Sequence, residues 1–376
     1  MSTEPRSRAW VEVDPAALRR NLATIRATAG SGARVVPMVK ADAYGLGVAG
    51  AVGVFEEEDP WGYGVATVPE GLAIRKLGVE RPILVLSPAP ADGIAEGVAA
   101  GLTFCVSEIE AVRRVVRAAE ASGRDTSVHV EVDTGMGRAG FDWREVGLWG
   151  PAVRELTRGA VHWEGVFTHL HSADEPASDS VAIQSGRFQE VMQALDAMDW
   201  GGTLSHLANS AGVLRRPDLA RSLVRPGIFL YGGAAGPDLS PPGEVVTLRA
   251  RVVLAREVPA GTTLGYGATH QAQRAERWAT LGIGYGDGLP RQLGNRGRGI
   301  LAGRPVPIIG RISMDLTVVD ITDLPGGMGE VGDVVTLLGT DGAERISLEE
   351  VAGLAGTIGY EILTGLTTRL PRVWLG

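Results

Sequence analysis

ILVLSPAPADGIAEGVAAGLTFCVSEIEAVRRVVRAAEASGRDTSVHVEVD, residues 83–133, holds three apolar runs of strand length, ILVLSP (83–88), TFCVS (103–107) and SVHVEVD (127–133), with helix-like segments between them. That alternation is the spacing of βα units. The clearest helix is Ser107 to Ser122, where Ser107 and Glu110 read as an S-x-x-E capping box and Gly123 as the stop. Working outward, the same period yields VVPMVK (35–40) and GYGVAT (62–67) upstream, then VHWEGVFTH (161–169), TLSHLAN (203–209) and SLVRPG (222–227) downstream. A further helix starts at Asp14-Pro15, an N-cap followed by proline in the first turn, with Leu18, Leu22 and Ile25 on one face. Eight strands alternating with helices predict a (β/α)8 TIM-type barrel.

Past Ala234 the pattern breaks in GGAAGPDLSPPGE (232–244), where glycine and proline oppose regular structure. Beyond it VVTLRARVVLAREV, RWATLGIGY, RPVPIIGRI, LTVVDI and DVVTLLG read as short strands, with one helix near SLEEVAGLAG. The expected division is a barrel over 10–235 and a mainly β domain over 236–376, with residues 1–9 packing against the latter. A length of 376 residues fits two domains. Hydrophobic residues at 44% and charged residues at 21% exclude disorder, collagen and coiled coil as the main architecture. A formal charge of −8 opposes nucleic acid and anionic lipid as partners. The single cysteine, Cys105, precludes an internal disulfide, and MSTEPRSRAWVEVD lacks an apolar signal core, so a cytoplasmic location is expected. The apolar stretches fall short of the ~20 residues that span a bilayer, so no membrane partner is expected. The 53 glycines exceed ordinary usage.

Barrel enzymes place their chemistry at the C-terminal ends of the strands. Here those ends carry Lys40, the Asp133 to Arg138 segment, His169, Asn209-Ser210 and Arg225 before Pro226-Gly227. A lysine at a barrel mouth is desolvated toward its neutral, nucleophilic amine, as a Schiff-base lysine requires. Ser210 with the backbone at Gly227 offers a phosphate cradle on strands seven and eight, where barrel phosphate sites are typically built. Lysine opposite such a cradle points to pyridoxal phosphate, although the same spacing would serve a sugar-phosphate aldolase.

VKADAYGLG (39–47), DTGMGRAGF (133–141), FTHLHSADE (167–175), HLANSAGVL (206–214), VRPGIFLYG (224–232), LGYGATH (264–270), GIGYGDGLPR (282–291), GRISMDLTVVD (310–320) and GTIGYEILTGLTTRLPR (356–372) together resemble the alanine racemases, collinearly and over nearly the whole chain. The resemblance implies a pyridoxal-phosphate enzyme that interconverts L- and D-alanine by two bases through a Schiff base. It also implies a barrel-plus-β-domain fold, a head-to-tail homodimer and a role in supplying D-alanine for peptidoglycan. By it, Lys40 would hold the cofactor, with Tyr44, Asn209, Ser210, Gly227, Ile228 and Tyr360 around the phosphate. Arg225 would face the pyridine nitrogen, braced by His169. A guanidinium cannot surrender its proton near neutral pH, so the ring nitrogen would stay unprotonated and racemisation would be favoured over transamination. Tyr266, from the partner subunit, would be the second base. A phenol ordinarily titrates near pH ~10, so it needs a nearby cation, and Arg138 matches that role and the substrate carboxylate. Met314 would give a backbone N–H to the substrate, Tyr285 with Tyr360 would narrow the entrance, and Asp315 would support it. Where the family often has a carbamylated lysine this chain has Glu131, which is expected to supply the negative charge directly. Ser313 stands where cysteine is frequent.

Other readings compete. His169-x-His171 with His129, Glu131 and Asp133 could ligate a metal, although polar inward residues on a strand explain the alternation equally. No metal is expected. A non-catalytic pyridoxal-phosphate carrier would lack the β-domain, and a related decarboxylase would carry cysteine near residue 313. GIGYGDG fits a dinucleotide pattern only superficially, because Pro290 leaves no following helix. Serine or another small amino acid remains an alternative substrate to alanine.

Overall fold

In the computed structural model, residues 7–200 and 204–376 are described. Eight strands form a parallel ring in chain order: Arg34–Val35, Tyr63–Val65, Ile83–Val85, Thr103–Val106, Thr126–Asp133, Val161–Phe167, Leu204–His206 and Leu223–Val224. Single bridges at Met38–Gly64 and Asn209–Arg225 complete the ring. Every expected strand is present, but several are shorter. The first is a continuous strand only over Arg34–Val35, because Pro37 lacks an N–H for the ladder and the chain turns at Lys40, although Met38 still bridges to Gly64. The expected start of the seventh strand, Thr203, lies outside the described residues, as do residues 1–6 of the segment read for a signal and for packing on the β-domain.

The helix Pro15–Ala29 begins as expected: Asp14 accepts from the N–H groups of Ala16 and Ala17, and Leu18, Leu22 and Ile25 are buried. The capping box at Ser107 does not form. The helix starts at Ile109, and Ser107 instead donates its hydroxyl to Glu131 on the neighbouring strand at 2.9 Å. Glu110 turns to Arg113 and Arg117. Gly123 ends this helix with a φ of +62°, as read.

After the irregular 232–244 segment the chain builds a nine-stranded sheet. Its centre is Val246–Val258, and Ala9–Val13 joins it antiparallel while also pairing parallel with Arg372–Trp374. The strands Ala9–Val13, Arg298–Leu301, Glu344–Ile346 and Arg372–Trp374 and the helix Gly359–Gly365 were not anticipated. This last segment closes on the barrel mouth. Arg372 donates to the carbonyl of Gly45 at 2.9 and 2.6 Å, and the indole of Trp374 lies where a Cβ on Gly50 would stand. Among the described residues no helix is long and apolar enough to cross a membrane.

Candidate active site

A cavity of about 330 Å³ sits at the C-terminal ends of the barrel strands. It is lined by Lys40, Tyr44, Glu131, Arg138, His169, Asn209, Ser210, Arg225, Gly227, Ile228 and Tyr360. The ring of strands and the helix Gly359–Gly365 together bring Lys40 and Tyr360 to one cavity.

Lys40 is held by an unusual piece of backbone. Ala41, Asp42, Ala43 and Tyr44 all have φ between +52° and +56°, a left-handed turn of non-glycine residues. Such residues cost about 1–3 kcal/mol each and persist only where surroundings fix them. Here Glu70 accepts from the N–H of Ala41 at 2.7 Å with one carboxylate oxygen and from Ala66 and Thr67 with the other. Asp42 accepts from the N–H of Val48 at 2.7 Å. Lys40 is exposed to the cavity that it lines. Desolvation lowers its pKa from the ordinary value, Arg138 and Arg225 push the same way, and Glu70 opposes them.

Arg225, at the end of the strand that pairs with the one leading to Lys40, is 4% exposed. Burial pulls its pKa down to about 10, leaving it a cation at neutral pH. One terminal nitrogen donates to His206 Nδ1 and the other to the carbonyl of Thr168 at 3.0 Å. His169, the expected brace, approaches only to 3.5 Å, at the limit of a hydrogen bond. The close partner is His206, fully buried at the end of the strand Leu204–His206. Burial and the neighbouring cations Arg225, Arg138 and Lys40 drive His169 down to about 3, so it stays neutral in the physiological range. Arg225 lines the cavity, and its Nε makes no hydrogen bond with a described residue.

Between Lys40 and Arg225 the chain offers a place for a phosphate. Gly227 donates its N–H to Ser210 Oγ at 2.9 Å, and Asn209 Oδ1 caps the helix Ser210–Arg215 by accepting from Gly212 at 2.9 Å. The N–H of Ile228 opens a 3-10 turn, where it has no intrahelical acceptor. A Cβ on Gly227 would meet Tyr44 Oη at 2.1 Å. Tyr44 is buried and stacked on Tyr231 with centroids 4.7 Å apart, and burial raises its phenol pKa, so it remains a donor. Hydroxyls, amides, a lysine amine and the Arg225 guanidinium around one cavity fit the phosphate, carbonyl and ring nitrogen of pyridoxal phosphate. Gly227→Ala is therefore expected to displace Tyr44 and weaken cofactor binding by about 1–3 kcal/mol. Titration of stripped enzyme with pyridoxal phosphate would measure this, and unchanged affinity would contradict the cradle.

Glu131 is buried and spends its hydrogen bond on Ser107, with no ion pair to Arg138 among the described residues. Glu131, expected to supply the negative charge at this position, thus acts on Arg138 through no hydrogen bond or ion pair. Desolvation raises the Glu131 carboxyl, partly offset by Ser107 and the Arg138 and Arg225 charges. Arg138 makes no hydrogen bond or ion pair with any described residue, which leaves its guanidinium for an anion entering the cavity.

Tyr266, Tyr285, Met314 and Asp315 lie outside this cavity on the second domain, and Tyr266 is 69% exposed. Three loops gather them. Tyr285 and Gly286 donate their N–H groups to the carbonyls of Ser313 and Met314 at 3.0 and 2.8 Å, and the Arg311 side chain lies against Gly267. A Cβ on Gly284 would strike the Ser313 carbonyl at 2.3 Å, which accounts for one glycine of GIGYGDG as a packing requirement. Asp287, 1% exposed, ties the assembly through Arg8 and Arg369, and Arg369 also pairs with Asp315 at 2.6 Å.

The sequence reading missed His206 and Glu164. His129 drew notice only as a possible metal ligand. Its ring nitrogens are instead engaged with His206 at 2.8 Å and Glu164 at 3.2 Å. The inward alternation His129, Glu131 in SVHVEVD was the available signal.

Comparison with known proteins follows the same lines. Residues 13–235 match the family model for the alanine racemase N-terminal domain, and residues 245–374 match that for the C-terminal domain. An alanine racemase of Symbiobacterium thermophilum is 39% identical, covering 98% of this chain and 97% of its own. Among solved structures, alanine racemase of Clostridium difficile superposes with a TM-score of 0.93 at 29% identity, covering 99% of this chain and 97% of that one. The Bartonella henselae alanine racemase with covalently bound pyridoxal phosphate gives 0.88 at 28% identity, covering 98% and 100%.

Proposed function

Because the chain belongs to the alanine racemase family and is a pyridoxal-phosphate-dependent isomerase that interconverts L- and D-alanine, we propose that Lys40 and Tyr266 are its two bases. The observation that carries this is the single cavity lined together by Lys40, Arg225 and the hydrogen-bonded pair Ser210–Gly227. Pyridoxal phosphate, when bound, withdraws electrons from the α-carbon and acidifies its hydrogen. Lys40 holds the cofactor through its amine and moves a proton on one face of the substrate. Tyr266 moves the proton on the other face, since inversion through a planar carbon needs an acid–base group on each side. Arg138, free of protein anions, takes the substrate carboxylate, with the backbone N–H of Met314 as second donor. Tyr44, Ser210, Gly227, Ile228 and Tyr360 enclose the phosphate, with Asn209 capping the helix that carries Ser210. Arg225 remains a cation and so keeps the ring nitrogen unprotonated, which holds the reaction to racemisation.

The exposed position of Tyr266, away from its own chain's Lys40, supports a head-to-tail homodimer in which each subunit completes the other's site with Tyr266, Met314, Tyr285 and Asp315. The division of labour falls near residue 235. We read the enzyme as cytoplasmic and as a source of D-alanine for peptidoglycan. Purified protein with pyridoxal phosphate is expected to bring L-alanine to a mixture of both enantiomers, and formation of keto acid or amine without D-alanine would contradict the reading.

Glu131 carries its charge without modification. Racemisation by carbon-dioxide-depleted enzyme is accordingly expected not to change when bicarbonate is added, whereas a marked rise would show dependence on a carbamate elsewhere.

A further inference from the structure

Below Arg225, inside the barrel, three side chains continue its hydrogen bonding away from the cavity. His206 Nδ1 accepts from Arg225, His206 Nε2 faces His129 Nδ1 at 2.8 Å, and His129 Nε2 faces Glu164 Oε2 at 3.2 Å. Both histidines are 0% exposed, whereas Glu164 reaches partly into solvent. Guanidinium can only donate, so His206 Nδ1 must be bare and the proton of its neutral ring must sit on Nε2. That N–H then requires a bare His129 Nδ1, which places the His129 proton on Nε2, aimed at the Glu164 carboxylate. A second proton on either ring would set two N–H groups head to head, so the chain admits one arrangement only.

The backbone is built around it. A Cβ on Gly165 would stand 2.4 Å from His129 Nδ1, and the register between the two strands shifts at Val128/His129. Phe167 stacks on His206 at 4.9 Å with an interplanar angle of 2°, and the Arg225 guanidinium lies over the same ring at 5.1 Å.

We propose that Glu164, His129 and His206 are positioning residues for Arg225, a one-way hydrogen-bonded chain that fixes the guanidinium and leaves its Nε–H without a protein acceptor, available to the cofactor. The proposal rests on the reading of Arg225 given above and adds how that residue is oriented. Its logic is that of a carboxylate holding a histidine in one tautomer for a third group.

The test is nitrogen-15 NMR of histidine-labelled holoenzyme, with signals assigned through His129→Asn and His206→Asn. Both rings are expected as neutral Nε2–H tautomers, and an Nδ1–H tautomer or an imidazolium at either would overturn the chain. Glu164→Ala and Glu164→Gln supply the functional arm. Loss of the acceptor in Glu164→Ala should lower kcat by about tenfold or more, by analogy with outer partners of functional histidines. KM for alanine should hardly change, and the fraction of turnovers that convert the cofactor to its amine form should rise. Glu164→Gln keeps an acceptor oxygen and should retain the tautomers and most of kcat. If Glu164→Ala folds with wild-type kcat and partitioning, the positioning role is wrong. The tautomers are read without turnover, so their failure leaves the racemase reading intact, whereas a wild-type protein that makes no D-alanine removes that reading and leaves the tautomers standing.

Discussion

Co-expressing Lys40→Ala and Tyr266→Phe chains, each inactive alone, is expected to restore about a quarter of wild-type racemase activity, because random pairing makes half the dimers mixed and each mixed dimer holds one intact site of two. The intact site joins Lys40 of the Tyr266→Phe chain to the unaltered tyrosine supplied by the other. If both bases came from one chain, every site in the mixture would lack one of them and no activity would return. The expectation rests on exposure: Tyr266 is 69% exposed and borders no part of the cavity that contains Lys40. Differently tagged chains purified over two columns would isolate the mixed dimer and raise its expected share to about one half of sites.

Replacing Lys40 by alanine has the largest expected effect on a single chain. The amine sits at the start of the left-handed turn, lowered in pKa by desolvation and by Arg138, and no other lysine lines the cavity. Lys40→Ala should abolish the visible absorption of lysine-bound pyridoxal phosphate and cut racemisation by about 10³-fold or more, since both attachment and one proton transfer are lost. Borohydride reduction of the wild type followed by peptide mapping should place the cofactor on VVPMVKADAYG. A reduced cofactor found on Lys76, the chain's other lysine, would refute the assignment.

Much of this was legible in the sequence, for physical reasons that also explain the gaps. The barrel was readable because each strand buries an apolar run and the βα period repeats eight times. Strand lengths were not, because the sign of φ at Ala41 to Tyr44 is imposed by Glu70 and Asp42 and leaves no mark on hydrophobicity. The local capping signal at Ser107 lost to a tertiary partner, Glu131, 24 positions away. The same remoteness hid the support of Arg225: His129 is 77 positions from His206 and 35 from Glu164, so only the closed ring of strands brings them together. The second domain's sheet is likewise completed from both ends of the chain, with Val11 paired to Arg372. Most cavity-facing residues were found because collinear motifs named them, while His129 and Glu164 lie outside those motifs and His206, inside HLANSAGVL, carries no sign of its partners.

The most direct test of the two-base account is the reaction of L-alanine with holoenzyme in D₂O, following both enantiomers and their α-deuterium from the first turnovers. The account predicts D-alanine that carries deuterium from the start, delivered by the base on the far face, while unreacted L-alanine acquires it later. D-alanine that forms with its original α-hydrogen retained would show one base carrying the proton across both faces and would contradict the pairing of Lys40 with Tyr266.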